Sequence, residues 1–139
     1  MKRLPIIIIA LLLICSAQVV NAMEPKEITD KFFKMAQSGK FVEAYDQLFA
    51  GSQIPIQKPQ AVEALKRQTA SVLPIYGNIL GVEFNREEKI GESVVRLVYL
   101  LKLEKFPTVW EFYFYKPKSD WLLVNISFNE DFSLLRSIK

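Results

Sequence analysis

Hydrophobic residues in the first half of the chain recur at the spacing of an amphipathic helix. Two segments show this pattern, one ending at Gly39 and the other at Gly51, and glycine is a typical helix stop. The apolar positions are Ile28, Phe32, Met35 and Ala36 in the first segment, and Phe41, Ala44, Tyr45, Leu48 and Phe49 in the second. Together the two segments predict a hairpin of two helices.

A third helix is predicted after a connecting segment. Residues 52–59 contain two prolines and no hydrophobic period, so they predict a loop. Pro59 suits the first turn of a helix, and the apolar residues that follow keep helical spacing until Pro74. Proline at that position ends the helix because it has no backbone N–H and its ring clashes with the preceding turn.

Beyond Gly77 the hydrophobic period falls to two, which is the period of a β-strand. Strands are predicted near residues 80–85, 93–105, 108–115 and 121–128, with short turns between them. The sequence therefore predicts an α+β fold in which three N-terminal helices pack on a curved four-stranded antiparallel sheet. Residues 129–139 follow as a short docking helix or a frayed end.

One face of this predicted sheet is almost entirely apolar, and the helices are expected to cover it. It includes Leu80, Val82, Phe84, Val95, Leu97, Tyr99, Trp110, Phe112, Leu122 and Val124. A carrier of an apolar small molecule would hold its ligand between this face and the helices. The candidate pocket residues are Tyr45, Tyr99, Trp110 and Phe112, with the phenol of Tyr99 orienting the ligand. A plain, filled core is the favoured interpretation of this face, and the ligand cavity is the alternative.

The opposite face is unusually apolar and aromatic for a surface that meets water. Its candidate interface residues are Val98, Leu100, Tyr113, Trp121 and Leu123. We expect this patch to be buried by a second copy, giving a homodimer, or by another protein partner. Cover by the C-terminal tail is the alternative. Arg96 and Glu111 share this face and can pair across strands, although the sequence does not fix the strand register.

The N-terminus has the three parts of a secretory signal peptide. Lys2 and Arg3 precede an apolar run from Ile6 to Cys15, and a small residue, Ala22, marks a cleavage site. The run is shorter than the roughly 20 residues that span a bilayer. We therefore expect a signal peptide over residues 1–22 and one domain over residues 23–139. The protein contacts a membrane only if the signal stays uncleaved or Cys15 is lipidated, and bulky Ile14 argues against lipidation.

The amino-acid composition excludes several kinds of catalytic and metal-binding site. The chain has no histidine, and its one cysteine lies in the signal, so the sequence offers no Ser-His-Asp triad, thiolate nucleophile or ordinary zinc site. No catalytic residue, metal ligand or cofactor is assigned. Without the two basic residues of the signal, 16 basic residues face 15 acidic ones, and they are scattered. Nucleic-acid binding therefore has no electrostatic basis.

The order of elements, with the helix-ending Gly51 and the turn at Tyr76-Gly77, resembles the NTF2-like superfamily, whose α+β fold is close to that called cystatin-like. The resemblance covers nearly all of residues 23–139. It implies a cone-shaped fold that serves isomerases and dehydratases as well as non-catalytic carriers and assembly modules. Fold alone therefore does not decide the function.

An isomerase of the ketosteroid type needs acidic groups that project into the cone. The predicted inner face has no Asp or Glu, and the helix carboxylates of Glu43, Asp46 and Glu63 are expected in solvent. An enzyme that uses tyrosine and carboxylates is therefore the least favoured class. The sequence favours an exported, periplasmic or secreted, non-enzymatic interaction or assembly module, with the small-molecule carrier as the alternative.

Overall fold

The computed structural model describes residues 22–136. Except for Ala22, the predicted signal peptide over residues 1–22 lies outside this range, and so does Cys15. Within the described range, no helix combines the length and the apolar character that a membrane span requires.

The predicted helix hairpin is confirmed. α1 spans Pro25–Gln37 and α2 spans Phe41–Leu48, and the two helices pack against each other. Gly39 and Gly51 follow them with φ angles of 80° and 77°, which is the left-handed conformation that glycine adopts without strain.

The third predicted helix is present as α4, Pro59–Val72, but it is the fourth helix of the described residues. The expected loop contains a single helical turn, α3, Ile54–Gln57. Pro55 occupies the first turn of α3, where its fixed φ favours the helix and its missing N–H leaves no bond unmade. A 3₁₀ turn over Leu73–Tyr76 follows α4, and Pro74 lies within it.

Four strands form one antiparallel sheet in the order β1-β2-β3-β4. They are β1, Ile79–Ile90; β2, Val94–Leu103; β3, Thr108–Tyr115; and β4, Leu122–Asn129. A second 3₁₀ turn, Phe132–Leu135, ends the described chain. The protein is thus an α+β fold whose helices precede the sheet, and this architecture is compatible with an NTF2-like fold.

The hydrophobic core lies between the helices and one face of the sheet. It contains Phe32 and Phe33 from α1, Tyr45 from α2, and apolar side chains from every strand except β1, which contributes partly buried ones. The buried strand residues are Val95, Leu97, Tyr99, Leu101, Leu103, Trp110, Phe112, Phe114, Leu123 and Phe128. The β2 and β3 part of the predicted inner face is therefore confirmed as core, whereas Leu80 and Phe84 of β1, predicted to face inward, are 65% and 41% exposed.

The start of β4 departs from the predicted alternation. Tyr113 pairs with Asn125 and Phe114 pairs with Leu123, so Val124 is an additional residue that forms a β-bulge. Because a shift by one residue turns each side chain to the other face, Leu123 and Trp121 lie on the core side. The prediction that both face outward is wrong, as is the inward placement of Val124, which is 44% exposed.

Candidate functional site

The four residues of the predicted ligand pocket are in contact in one aromatic cluster. Tyr45, Tyr99, Trp110 and Phe112 are each at most 1% exposed. The ring of Tyr99 lies 5.8 Å from that of Phe112, and Phe112 stacks on Trp110 at 6.2 Å. The ring of Phe32 contacts both α2 and β3: its centroid lies 5.2 Å from that of the Tyr45 ring and 5.6 Å from that of the Trp110 ring. These rings fill the space that a ligand would need, in agreement with the interpretation of this face as a plain core.

The polar atoms of this cluster bind one another. The hydroxyl of Tyr45 lies 2.7 Å from Thr69 Oγ1, and that of Tyr99 lies 2.5 Å from Thr29 Oγ1. Both threonine hydroxyls also donate to backbone carbonyls of their own helices, so the two phenols act as donors. Burial raises the pKa of Tyr99 to about 12 and raises the pKa of Tyr45 as well. Neither phenol is therefore free to orient a ligand.

The outer face of the sheet is covered over its centre by the C-terminal tail. Val98 and Val109 lie on this face and are 0% exposed. The 3₁₀ turn Phe132–Leu135 packs on both β2 and β3. Of the five predicted interface residues, only Leu100 and Tyr113 remain partly exposed on this face. The tail therefore covers the middle of the surface that we expected a partner to use.

Several contacts hold the tail in place. The Asp131 carboxylate accepts the backbone N–H of Ser133 at 3.0 Å and its hydroxyl at 2.5 Å. These bonds hold the pKa of Asp131 below its usual value. The hydroxyl of Tyr76 donates to Glu130, and the ring of Phe132 lies 5.7 Å from that of Phe106.

A charged network lies beside the tail on the same outer face. Arg96 and Glu111 are each 8% exposed, and Arg96 Nε donates to Glu111 Oε1 at 2.7 Å, a pairing that their shared face allows. Arg96 Nη1 also donates to Glu88 at 2.6 Å, and Arg86 donates to the other oxygen of Glu88 at 2.5 Å. Hydrogen bonds from Arg86 and Arg96 lower the pKa of Glu88. The network joins β1, β2 and β3.

The helix carboxylates that an isomerase would need are exposed. Glu43, Asp46 and Glu63 all meet solvent, and Asp46 pairs with Lys66 Nζ at 2.9 Å. Among residues 22–136, no group of three or more metal-ligating side chains is close enough to hold an ion.

The two edges of the sheet differ in a way that the strand alternation does not reveal. The edge strand β1 carries five charged residues, namely Glu83, Arg86, Glu87, Glu88 and Lys89. The other edge strand, β4, has the sequence LLVNISFN, with no charge and no proline. Charges and prolines are the usual protection of an exposed edge against a further strand. β4 carries neither charges nor prolines, and its start is covered by Ser52, whose Oγ donates to the Leu123 carbonyl at 2.7 Å, and by α3.

A groove of about 410 Å³ runs between β4 and α4. Residues 124–128 of β4 form one wall, and residues of α4 form the other. Its apolar lining comes from Phe49, Ile54, Val62, Leu65, Val124, Ile126 and Phe128. Among residues 22–136, Lys58 is the only charged one in the lining. An apolar groove beside an unprotected edge strand is the geometry that accepts an extended peptide.

The hydrophobic pattern of the sequence does not reveal this surface. The uncharged stretch from Trp121 to Asn129 was visible, but a strand is recognised as an edge only when the sheet order is known. The β-bulge at Val124 also concealed which of its side chains line the groove.

Comparison of the chain with protein-family models, with characterised proteins and with solved structures finds no match. The geometry of the described residues therefore provides the basis for a functional assignment.

Proposed function

We propose that the chain is an exported, non-enzymatic binding module of NTF2-like fold that takes up an extended polypeptide strand along β4. The unprotected β4 edge beside an apolar groove is the observation that carries this proposal. It replaces the centre of the outer face as the contact surface, because Val98 is fully buried there and the tail packs on β2 and β3.

Strand addition uses groups that β4 already presents. In the described sheet β4 pairs only with β3. Ser52 Oγ donates to the carbonyl of Leu123 at 2.7 Å and α3 packs on the strand, so the backbone N–H and C=O groups open to a partner are those of the later part of β4, from Val124 on. A partner strand would satisfy these groups with main-chain hydrogen bonds. Its alternate side chains would enter the groove, where Ile54 and Leu65 offer apolar contact. Main-chain bonds supply affinity in this mode, and the groove supplies selectivity for apolar side chains.

The test uses a peptide of alternating valine and threonine, as long as β4 and with a lysine at each end for solubility. Its control is the same peptide with every second amide N-methylated, which removes donors without removing side chains. We expect the unmodified peptide to shift the amide NMR signals of residues 122–129. The methylated control should bind about tenfold more weakly or worse, because several hydrogen bonds are lost. Equal binding of both peptides, or shifts confined to β1, would contradict strand addition.

A carrier of an apolar small molecule remains the second candidate, now placed in the groove between α4 and β4. The observation that favours it is the groove volume of about 410 Å³ with a mostly apolar lining. Ligand sites commonly measure about 300–1,000 Å³. A naphthalene dye that fluoresces in apolar surroundings should bind the wild type and lose its signal in Leu65→Glu. The matched control is Leu80→Glu, at a 65% exposed position on β1. Equal dye fluorescence in both variants would exclude this site.

A further inference from the structure

We infer that the strand received by β4 is the β4 of a second copy, running antiparallel to the first. This inference rests on the proposed function, since it names the partner of the same edge. A pair of this kind is two-fold symmetric, so each copy offers and receives the same surface. It would join two four-stranded sheets into one continuous sheet and leave β1 as the only free edge of each copy.

The charges at the two ends of β4 favour antiparallel over parallel pairing of the two β4 strands. The turn before β4 carries two lysines, Lys116 and Lys118, with one acidic residue, Asp120. The segment directly after β4 carries Glu130 and Asp131. Antiparallel pairing brings the net positive turn of one copy next to the net negative end of the other, and it does so twice. Parallel pairing would place like charges together at both ends, which is unfavourable.

The body of the strand suits a copy of itself. β4 is neutral, so two such strands meet without repulsion along their length. Val124 stands near the middle of the strand and is 44% exposed, although it is apolar. A paired strand would cover it and would direct its own core-side residues, such as Ile126, toward the groove beside α4.

Charge reversal tests the arrangement directly. The first variant, Lys116→Glu with Lys118→Glu, makes both ends of β4 acidic, and the second, Glu130→Lys with Asp131→Lys, makes both ends basic. We expect sedimentation at micromolar concentration to show a wild-type dimer. Each variant alone should dimerise about tenfold more weakly or worse, because like charges then meet twice. An equimolar mixture of the two should recover a mixed dimer, in which both contacts are again attractive.

Controls separate this effect from damage to the fold. Glu130 accepts a hydrogen bond from Tyr76, so Tyr76→Phe measures the loss of that bond without a change of charge. Val124→Lys should abolish the dimer, whereas Leu80→Lys on the β1 edge should not. Circular dichroism should show that all variants fold.

Three outcomes overturn the inference. A monomeric wild type excludes a second copy as the occupant, and if the valine–threonine peptide still shifts β4, the proposed function stands while the self-pairing falls. A dimer that both charge variants preserve, or that the mixture fails to restore, excludes the antiparallel arrangement. A dimer lost in Leu80→Lys but kept in Val124→Lys places the interface on β1 and contradicts both proposals.

Discussion

The buried ion pair between Arg96 and Glu111 offers the sharpest test of how the sheet is stabilised. In Glu111→Gln the side chain keeps its shape and loses its charge. Arg96 then keeps Glu88 as its remaining acidic partner, at 2.6 Å. Both members of the Arg96–Glu111 pair are nearly buried, with side chains 10% and 11% exposed. Water therefore compensates little for the lost partner.

The expected cost follows from these distances and exposures. Removing one partner of a fully buried ion pair costs about 3–5 kcal/mol. The remaining bond to Glu88 and the acceptor oxygen of the new glutamine reduce this figure. We expect a loss of about 2 kcal/mol in the free energy of unfolding, or about 8 °C in Tm for a domain of this size. Urea unfolding followed by tryptophan fluorescence measures it, with an unchanged m-value.

Glu83→Gln is the matched control, because it makes the same chemical change in an exposed pair. Glu83 faces Lys102 Nζ at 3.0 Å, and the two side chains are 55% and 45% exposed. An exposed pair contributes about 1 kcal/mol or less. If Glu111→Gln destabilises the protein no more than Glu83→Gln does, the argument that burial makes the Arg96 pair important is refuted.

Three further changes test other parts of the structure. Ending the chain after Asn129 removes the tail and uncovers two buried valines of the outer face, so we expect a loss of at least about 2 kcal/mol and new binding of an apolar dye. The raised pKa values of Tyr45 and Tyr99 imply stability that is complete below pH 10 and falls as the pH rises toward about 12. Urea unfolding at increasing pH should show this decline. In the variant Tyr45→Phe with Tyr99→Phe, the free energy of unfolding should change less with pH over the same range. The lowered pKa of Glu88 implies stability that is present above the ordinary carboxyl pKa and is lost as the pH falls through the folded value, a loss that Glu88→Gln should remove.

The hydrophobic period predicted most elements because each period is set by local geometry. α1, α2 and α4 were found from their apolar faces, and the bounds of β3 agree with the predicted range. β1 is longer than predicted, because its second half is charged and pairs with β2 without apolar alternation. α3 is a single turn, too short to show a period.

The sequence alone could not decide the candidate pocket and the candidate interface, for two physical reasons. The candidate pocket used large aromatic residues such as Trp110, but the same residues fill a core as readily as they line a cavity. The candidate interface assumed a free outer face, although apolar residues there were equally consistent with cover by the tail. Which of these holds depends on contacts between elements far apart in the chain, such as those of β2 and β3 with the 3₁₀ turn Phe132–Leu135.

The β-bulge at Val124 explains why the strand alternation predicts the wrong faces for Val124 and Leu123. The same bulge lies in the proposed binding surface. A regular strand would have placed Val124 in the core and Leu123 outside, as the alternation predicted. The additional residue instead turns an apolar side chain out at an edge that carries no charge. Bulges at sheet edges commonly twist a strand away from further pairing or re-aim a side chain for function. Under the proposed strand addition, the bulge would instead present Val124, which is 44% exposed and lines the groove, for a partner strand to cover.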